Sequence, residues 1–244
     1  MKTLGLIITA LFAFSVEANA SAWNQTSGSA KDIGVGANGS VWVIGTDKRS
    51  GGFGIHKRNG SGWNRVDGGA VRIDVGPRGR PWVVNSSGKI YKWTGQSWQR
   101  IPGSAKDIGV GADGSVWVIG TDKRSGGFGI HRWNGSSWDR VDGGAVRIDV
   151  DPSGKPWVVN SSGKIYKWNG AGWKRTSGSA KDVGVGSNGS VWVIGTDKRS
   201  GGFGIHKRNG SGWNRVNGGA VMIDVGPNGK PWVVNSSNKI YQLK

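Results

Sequence analysis

The 244-residue sequence contains no cysteine, which excludes disulfides, thiol nucleophiles and thiolate metal sites at the outset. Glutamate is almost as scarce. Glu17 is the only one and lies in an apolar N-terminal segment, so aspartate is the sole acid of the rest of the chain. That shortage counts against the paired-carboxylate chemistry of glycosidases, and no spacing of Ser, His and Asp suggests a triad, so the chain reads as a non-enzyme without a cofactor. Long apolar runs are also missing. The one from Leu4 to Val16 falls short of the roughly 20 residues that cross a bilayer, and it lies between Lys2 and the small-residue pattern Ala18-Asn19-Ala20. Residues 1–20 are therefore expected to be a secretory signal, and 21–244 a single exported, extracellular domain with no membrane insertion.

Glycine and tryptophan are abundant, at 46 and 15 residues, and hydrophobic residues make up 35% of the chain. This composition argues against disorder and collagen. The formal net charge is +18. The strongest signal is repetition. Residues 29–103 recur almost verbatim at 104–178 and again from Ser179, so Trp42, Trp117 and Trp192 stand 75 apart, as do Trp82, Trp157 and Trp232. Each module is itself double, because Val35-(x)6-Trp42-Val43 aligns with Val75-(x)6-Trp82-Val83. The chain thus holds six units of two kinds, long and short.

Each unit reads as four short strands bounded by Gly, Asn, Ser and Pro turns, in the first unit near 31–36, 41–45, 53–57 and 62–66. Six such antiparallel units predict an all-β, six-bladed β-propeller. Closure is predicted as well. The last unit ends at Ile240-Tyr241-Gln242-Leu243-Lys244 without a fourth strand, and Ala22–Gly28 matches the missing strand, so the N-terminus is expected to complete the sixth blade.

The unit Asp-Ile-Gly-Val-Gly-x-x-Gly-x-Val-Trp-x-Ile, followed by a Gly-x-x-Trp strand, resembles the tectonin repeat of six-bladed propeller lectins such as fish-egg lectins, tachylectin and tectonins. The resemblance covers essentially all of 21–244. It implies secretion, sugar binding and recognition of microbial surface glycans such as lipopolysaccharide, and it leaves the sugar open.

Several residue sets are candidates for function. In the long units, Asp47-Lys48-Arg49 recurs as Asp122-Lys123-Arg124 and Asp197-Lys198-Arg199, within loops expected to lie on one face. Arginine suits phosphate or carboxylate, lysine adds charge, and aspartate accepts from sugar hydroxyls. On the same face of the short units, Asn85, Asn160 and Asn235 offer neutral hydrogen bonds. Strict periodicity assigns twelve tryptophans to packing, whereas Trp93, Trp133 and Trp168 align with Arg58, Arg208 and Leu243. A position shared in that way is expected to be partly exposed and able to stack on sugar. His56, His131 and His206 align with Tyr91, Tyr166 and Tyr241, which favours framework over metal. Asp32, Asp107 and Asp182 align with Arg72, Arg147 and Met222, which predicts alternating ion pairs around the axis, broken at Met222. Asp74, Asp149 and Asp224 form a second axial set, read as a three-carboxylate cation site or, in preference, as solvated or hydrogen-bonded, since Ca²⁺ takes six to eight oxygens. The nine Asn-x-Ser/Thr sequons are mostly turn chemistry.

The reading is a monomeric, multivalent lectin for microbial or other anionic glycans. The alternative is an adhesion or matrix protein that binds a protein partner through the propeller face. Nucleic acid is disfavoured as a partner because packing accounts for the tryptophans.

Overall fold

A computed structural model describes residues 22–244, and the expected signal at 1–20 lies outside them. Among the described residues, no helix is long and apolar enough to cross a membrane. The chain forms six four-stranded antiparallel sheets. Blade 1 comprises β2 (Asp32–Val35), β3 (Val41–Arg49), β4 (Gly52–Asn59) and β5 (Gly62–Ala70). Blade 2 comprises β6 (Arg72–Val75), β7 (Pro81–Val84), β8 (Lys89–Trp93) and β9 (Trp98–Ser104). Strands β10–β13 (107–145), β14–β17 (147–179) and β18–β21 (182–220) repeat the pattern as blades 3, 4 and 5. Blade 6 joins both chain ends: β22 (Met222–Val225), β23 (Pro231–Val234) and β24 (Lys239–Leu243) are completed by β1 (Trp23–Ser29). Trp23 pairs with Leu243 and Gln25 with Tyr241, so the predicted closure is realised in register.

The core lies in the seams between blades. Trp42, Ile44 and Ile55 of blade 1 pack with Ile73, Val75 and Val83 of blade 2, and analogous clusters follow around the ring. Because both faces of each sheet are covered, the inner strands read as continuous apolar runs such as Val41-Trp42-Val43-Ile44, all buried. Each such side chain contributes about 1.5–3 kcal/mol on burial, before entropy is subtracted.

The outer strands are stapled by indole N–H groups. Trp63, Trp98, Trp138, Trp173, Trp213 and Trp23 each donate to a backbone carbonyl on the outer strand of the preceding blade, at 2.5 to 2.9 Å. The bond from Trp63 to Ser27 O ties blade 1 to the N-terminal strand and closes the circle.

The long-unit loops differ from expectation. The second and third strands continue to Arg49 and restart at Gly52, so only Ser50-Gly51 forms the turn, and a bulge between Ile44 and Lys48 absorbs the extra residues. The five-residue length difference therefore appears as a taller hairpin.

Candidate functional site

The taller hairpins create the main concavities. Each long blade raises its β3–β4 tip, or its equivalent, beside the short blade that follows, and a groove opens between them. The groove between blades 1 and 2 encloses about 420 Å³. Its counterparts between blades 3 and 4 and between blades 5 and 6 enclose about 230 and about 310 Å³. One wall is the Ser50-Gly51 tip, the other is Asn85, Tyr91 and Trp98, and Ile55 and Val83 form the floor. Two glycines keep the space open. Gly51 has φ +84°, and a Cβ on Gly69 would collide with the Ser50 carbonyl, so the outer strand can pass beneath the tip only without a side chain. The Ser86 amide donates to Gly51 O at 2.8 Å and fixes the two blades across the groove mouth.

Ser50, Asn85, Ser87, Lys89 and Tyr91, with the Trp98 indole, are the polar residues that line the first groove. Asn85 Oδ1 accepts from the amides of Ser87 and Lys89 at 3.0 and 2.8 Å, which locks its turn and leaves the side-chain amide as a donor beside Gly51. Asn160 and Asn235 do the same in the other two grooves. The Tyr241 hydroxyl donates to Gln25 at 3.1 Å. Arg100 and Arg175 stand where Gln25 would be in the first two grooves, opposite Tyr91 and Tyr166. The guanidinium of Arg100 lies 5.7 Å over the Tyr91 ring, which leaves that hydroxyl at the groove. An indole wall, a phenol, a carboxamide and exposed backbone together can stack on an apolar ring face and exchange hydrogen bonds with hydroxyls.

The sequence-derived candidates are placed unequally. Asn85, Asn160 and Asn235 line the grooves. Lys48, Arg49, Lys123, Arg124, Lys198 and Arg199 stand exposed on the hairpin strands beside the grooves, outside their lining. Asp47 accepts from His56 Nε2 at 3.0 Å and from Arg49 Nε at 3.1 Å, and Asp122 and Asp197 repeat the trio. The hydrogen bond from His56 holds the Asp47 carboxyl below its ordinary range. Each carboxylate oxygen thus already holds a donor, and only its remaining lone pairs are open to a ligand.

Trp93, Trp133 and Trp168 are half-buried, and their rings are committed to packing. Trp93 is wedged between Trp42 of the preceding blade and Trp98 of its own, with ring centroids 6.5 and 5.0 Å away. Trp133 repeats this with Trp82 and Trp138, and Trp168 lies 5.1 Å from Trp173. Arg58 fills the same wedge by stacking over Trp63 and Trp232 at 5.1 and 5.7 Å, which explains how an indole and a guanidinium share one position. Tyr91, Tyr166, Tyr241, Trp98, Trp173 and Trp23 are groove residues that periodicity alone assigns to framework. The signal that distinguishes them is the unit-length difference, because a taller hairpin overhangs their blade.

On the hairpin face, Lys31, Lys48, Arg49 and Lys89 and their repeats at 75-residue spacing give twelve exposed cations. The predicted ion pairs lie at the axial mouth of this face. Arg72 Nε is 3.4 Å from Asp107, and Arg147 Nε is 3.4 Å from Asp182. Met222 leaves Asp32 without the equivalent partner, and burial raises the Asp32 carboxyl to about 6. Deeper on the axis, Asp74 accepts from its own strand at Val75 and from blade 3 at Val110, 2.6 and 2.5 Å away. Asp149 and Asp224 grip blades 5 and 1 in the same way. Gly34, Gly109 and Gly184 occupy the facing positions, where a Cβ would come within 3.0 Å of the aspartate backbone. One oxygen from each of the three carboxyls lies within 4.8 Å of the others. Burial drives Asp74 up to about 8 and Asp149 and Asp224 well above the carboxylate range. Three carboxyls already engaged by backbone amides fall short of the six to eight oxygens that Ca²⁺ takes.

No curated protein matches the chain significantly. Solved structures show the propeller in proteins of different character. The one described as "YCF48 bound to D1 peptide" matches at TM-score 0.55 and 18% identity, covering 93% of this chain and 84% of that one. A streptogramin B lyase matches at TM-score 0.58 and 18% identity, over 87% and 78%. A luciferin-regenerating enzyme matches at 0.60 and 11%, over 89% and 92%. At such identities these likenesses concern the fold alone. The tectonin domain model matches residues 43–125, 69–155 and 118–200, together more than half of the chain, and the chain therefore belongs to the tectonin-domain family.

Proposed function

We propose that the protein is a secreted, multivalent carbohydrate-binding protein whose three outer grooves take sugar residues of microbial surface glycans such as lipopolysaccharide. The observation that carries this reading is the threefold groove, in which indole, phenol and carboxamide groups converge on a half-open cavity of about 230 to 420 Å³. Such a space fits one or two saccharide units and contains no carboxylate to act on them. The twelve exposed cations on the same face supply long-range attraction to anionic surfaces, and this part weakens as salt is added.

The decisive experiment is a glycan array followed by competition with the free sugar. Tyr91→Phe and Tyr166→Phe together remove two hydroxyls without disturbing packing, and are expected to weaken glycan binding about tenfold per groove while leaving the melting temperature unchanged. Arg49→Ala, Arg124→Ala and Arg199→Ala together are expected to abolish the salt-sensitive part of agglutination. Unaltered binding in both sets would move the site away from this face.

A second reading, adhesion to an acidic protein partner, is favoured by the same cationic face. It predicts capture that free sugars do not inhibit.

A further inference from the structure

The outer grooves repeat every 75 residues, but the axial mouth does not. Where a short blade meets the long blade after it, a second kind of cavity opens on the hairpin face and runs inward to the axis. Between blades 2 and 3 it encloses about 540 Å³, more than any of the outer grooves. Ser87 lines one side, Thr121 and Phe128 the other, Lys106 stands on the link between blades, and Arg72 and Arg147 close the axial end.

The two guanidiniums are held in place but not used up. Their side chains are 21% and 23% exposed. Their carboxylate neighbours are 3.4 to 4.0 Å away, which is ion-pair distance without the short, aligned geometry of a charge-assisted hydrogen bond. Arg147 Nε is buried and has no hydrogen-bond partner among the described residues. Lys106 adds a third cation and rests its ammonium 4.5 Å over the Phe128 ring. Asp107, the carboxyl nearest Arg72, does not line the cavity.

We propose that this cavity, which adjoins the first outer groove and shares Asn85 and Ser87 with it, is an oxyanion site that takes the carboxylate or phosphate of an acidic saccharide. Arg72 and Arg147 present donors to the oxyanion from two sides. Lys106 contributes charge, and the hydroxyls of Ser87 and Thr121 face the sugar that carries the anion. The assignment of an oxyanion rests on these groups, and the assignment of a saccharide carrier rests on the lectin reading.

The pair of arginines at a junction occurs once among the described residues, for a reason visible in the sequence. At the equivalent junction of blades 4 and 5, Met222 stands where the second arginine would be, and at the junction of blades 6 and 1 it stands where the first would be. Each of those junctions therefore has one guanidinium in place of two. The face thus sets one site with paired guanidiniums beside three grooves of indole, phenol and carboxamide, with Lys89 in the lining of the first, an arrangement suited to an acidic residue that recurs among neutral ones.

The test uses crystals of the full chain soaked separately in galacturonate, galactose 6-phosphate, galactose and inorganic phosphate, with NMR titrations for affinity. The carboxylate of galacturonate and the phosphate of galactose 6-phosphate are expected between Arg72 and Arg147 only, and galactose is expected to be absent from that cavity. Lys106→Gln, which removes the ammonium over Phe128 and leaves both arginines in place, is expected to weaken galacturonate about tenfold and galactose not at all. Met222→Arg is expected to raise the number of occupied axial cavities from one to three. Galacturonate bound with its carboxylate elsewhere, equal occupancy of all three cavities in the unaltered protein, or no response to either variant would overturn the site. Inorganic phosphate entering while both acidic sugars stay out would overturn the saccharide assignment. Should galacturonate bind as described while galactose ignores the outer grooves, the groove reading falls and the oxyanion site stands.

Discussion

Asp74, Asp149 and Asp224 are pulled in opposite directions by their surroundings. Backbone amides on two blades favour the anion, and burial beside two other carboxyls favours the acid; burial is the stronger influence and lifts Asp74 to about 8. A carboxyl whose folded pKa lies above its unfolded value of about 3.9 binds more protons folded than unfolded throughout the interval between the two, so stability falls as pH rises through that interval. Asp182 and Asp32, raised to about 7 and about 6, act in the same sense. Asp47, Asp122 and Asp197, held low by their histidine partners, act in the opposite sense and only under acid. The melting temperature is therefore expected to fall from pH 5 to pH 9, with a shallower slope in Asp74→Asn. A flat or rising profile would contradict the burial argument. The wedge at Trp93 gives a second test. Trp93→Arg, which copies Arg58, is expected to cost under about 1 kcal/mol, and Trp93→Ala about 2 to 3 kcal/mol in urea denaturation, because only the alanine leaves a void against Trp42. Alignment shows that indole and guanidinium share this position, with Leu243 in blade 6. It does not show that both lie flat on neighbouring indoles, because that contact joins residues on different blades.

At the scale of strands, what could be read ahead was what the ladder and the turns dictate. The run Val41-Trp42-Val43-Ile44 announces a strand, and it is one, buried along its whole apolar stretch. Asp47 to Gly52 carries no apolar alternation and reads as a loop, yet it continues the ladder, with Lys48 opposite Phe53 and Arg49 opposite Gly52. The extension is held by pairing across the hairpin and by the His56–Asp47 bond, neither of which periodicity detects. The groove beneath the hairpin was hidden for the same reason. By contrast, the closing strand was legible because it is a displaced copy of a repeated segment. Deleting Ala22 to Gly28 removes the partner of β24 and the Ser27 carbonyl that accepts from Trp63. The open edge and the lost seam are expected to lower the melting temperature by at least 10 °C and to promote aggregation, followed by light scattering. A soluble deletion variant that melts with the full chain would show that the two ends do not hold the ring.

For the whole molecule, the proposed glycan binding makes valency the consequence of threefold repetition. One groove with an indole, a phenol and a carboxamide has the donors for a weak, millimolar to micromolar contact. Three on a rigid disc convert the second and third contacts into intramolecular events, worth roughly 10² to 10⁴ in apparent affinity when the target repeats at a matching spacing. The blades fix that spacing, because each groove belongs to one 75-residue module and the modules close into a ring. Affinity for a free monosaccharide and adhesion to a surface should therefore respond differently to the same changes. Replacing Tyr91 alone with phenylalanine is expected to leave free-sugar affinity in the other two grooves intact and to reduce retention on a lipopolysaccharide-coated surface by about tenfold, with a further, steeper loss when Tyr166 is replaced as well. Surface plasmon resonance at low and high glycan density measures both quantities. If density made no difference, each groove would act alone and the threefold arrangement would serve the fold and not the binding. If retention fell with density in the single variant as in the unaltered chain, the affected groove would not be a contact, and the remaining two would have to account for all of the adhesion.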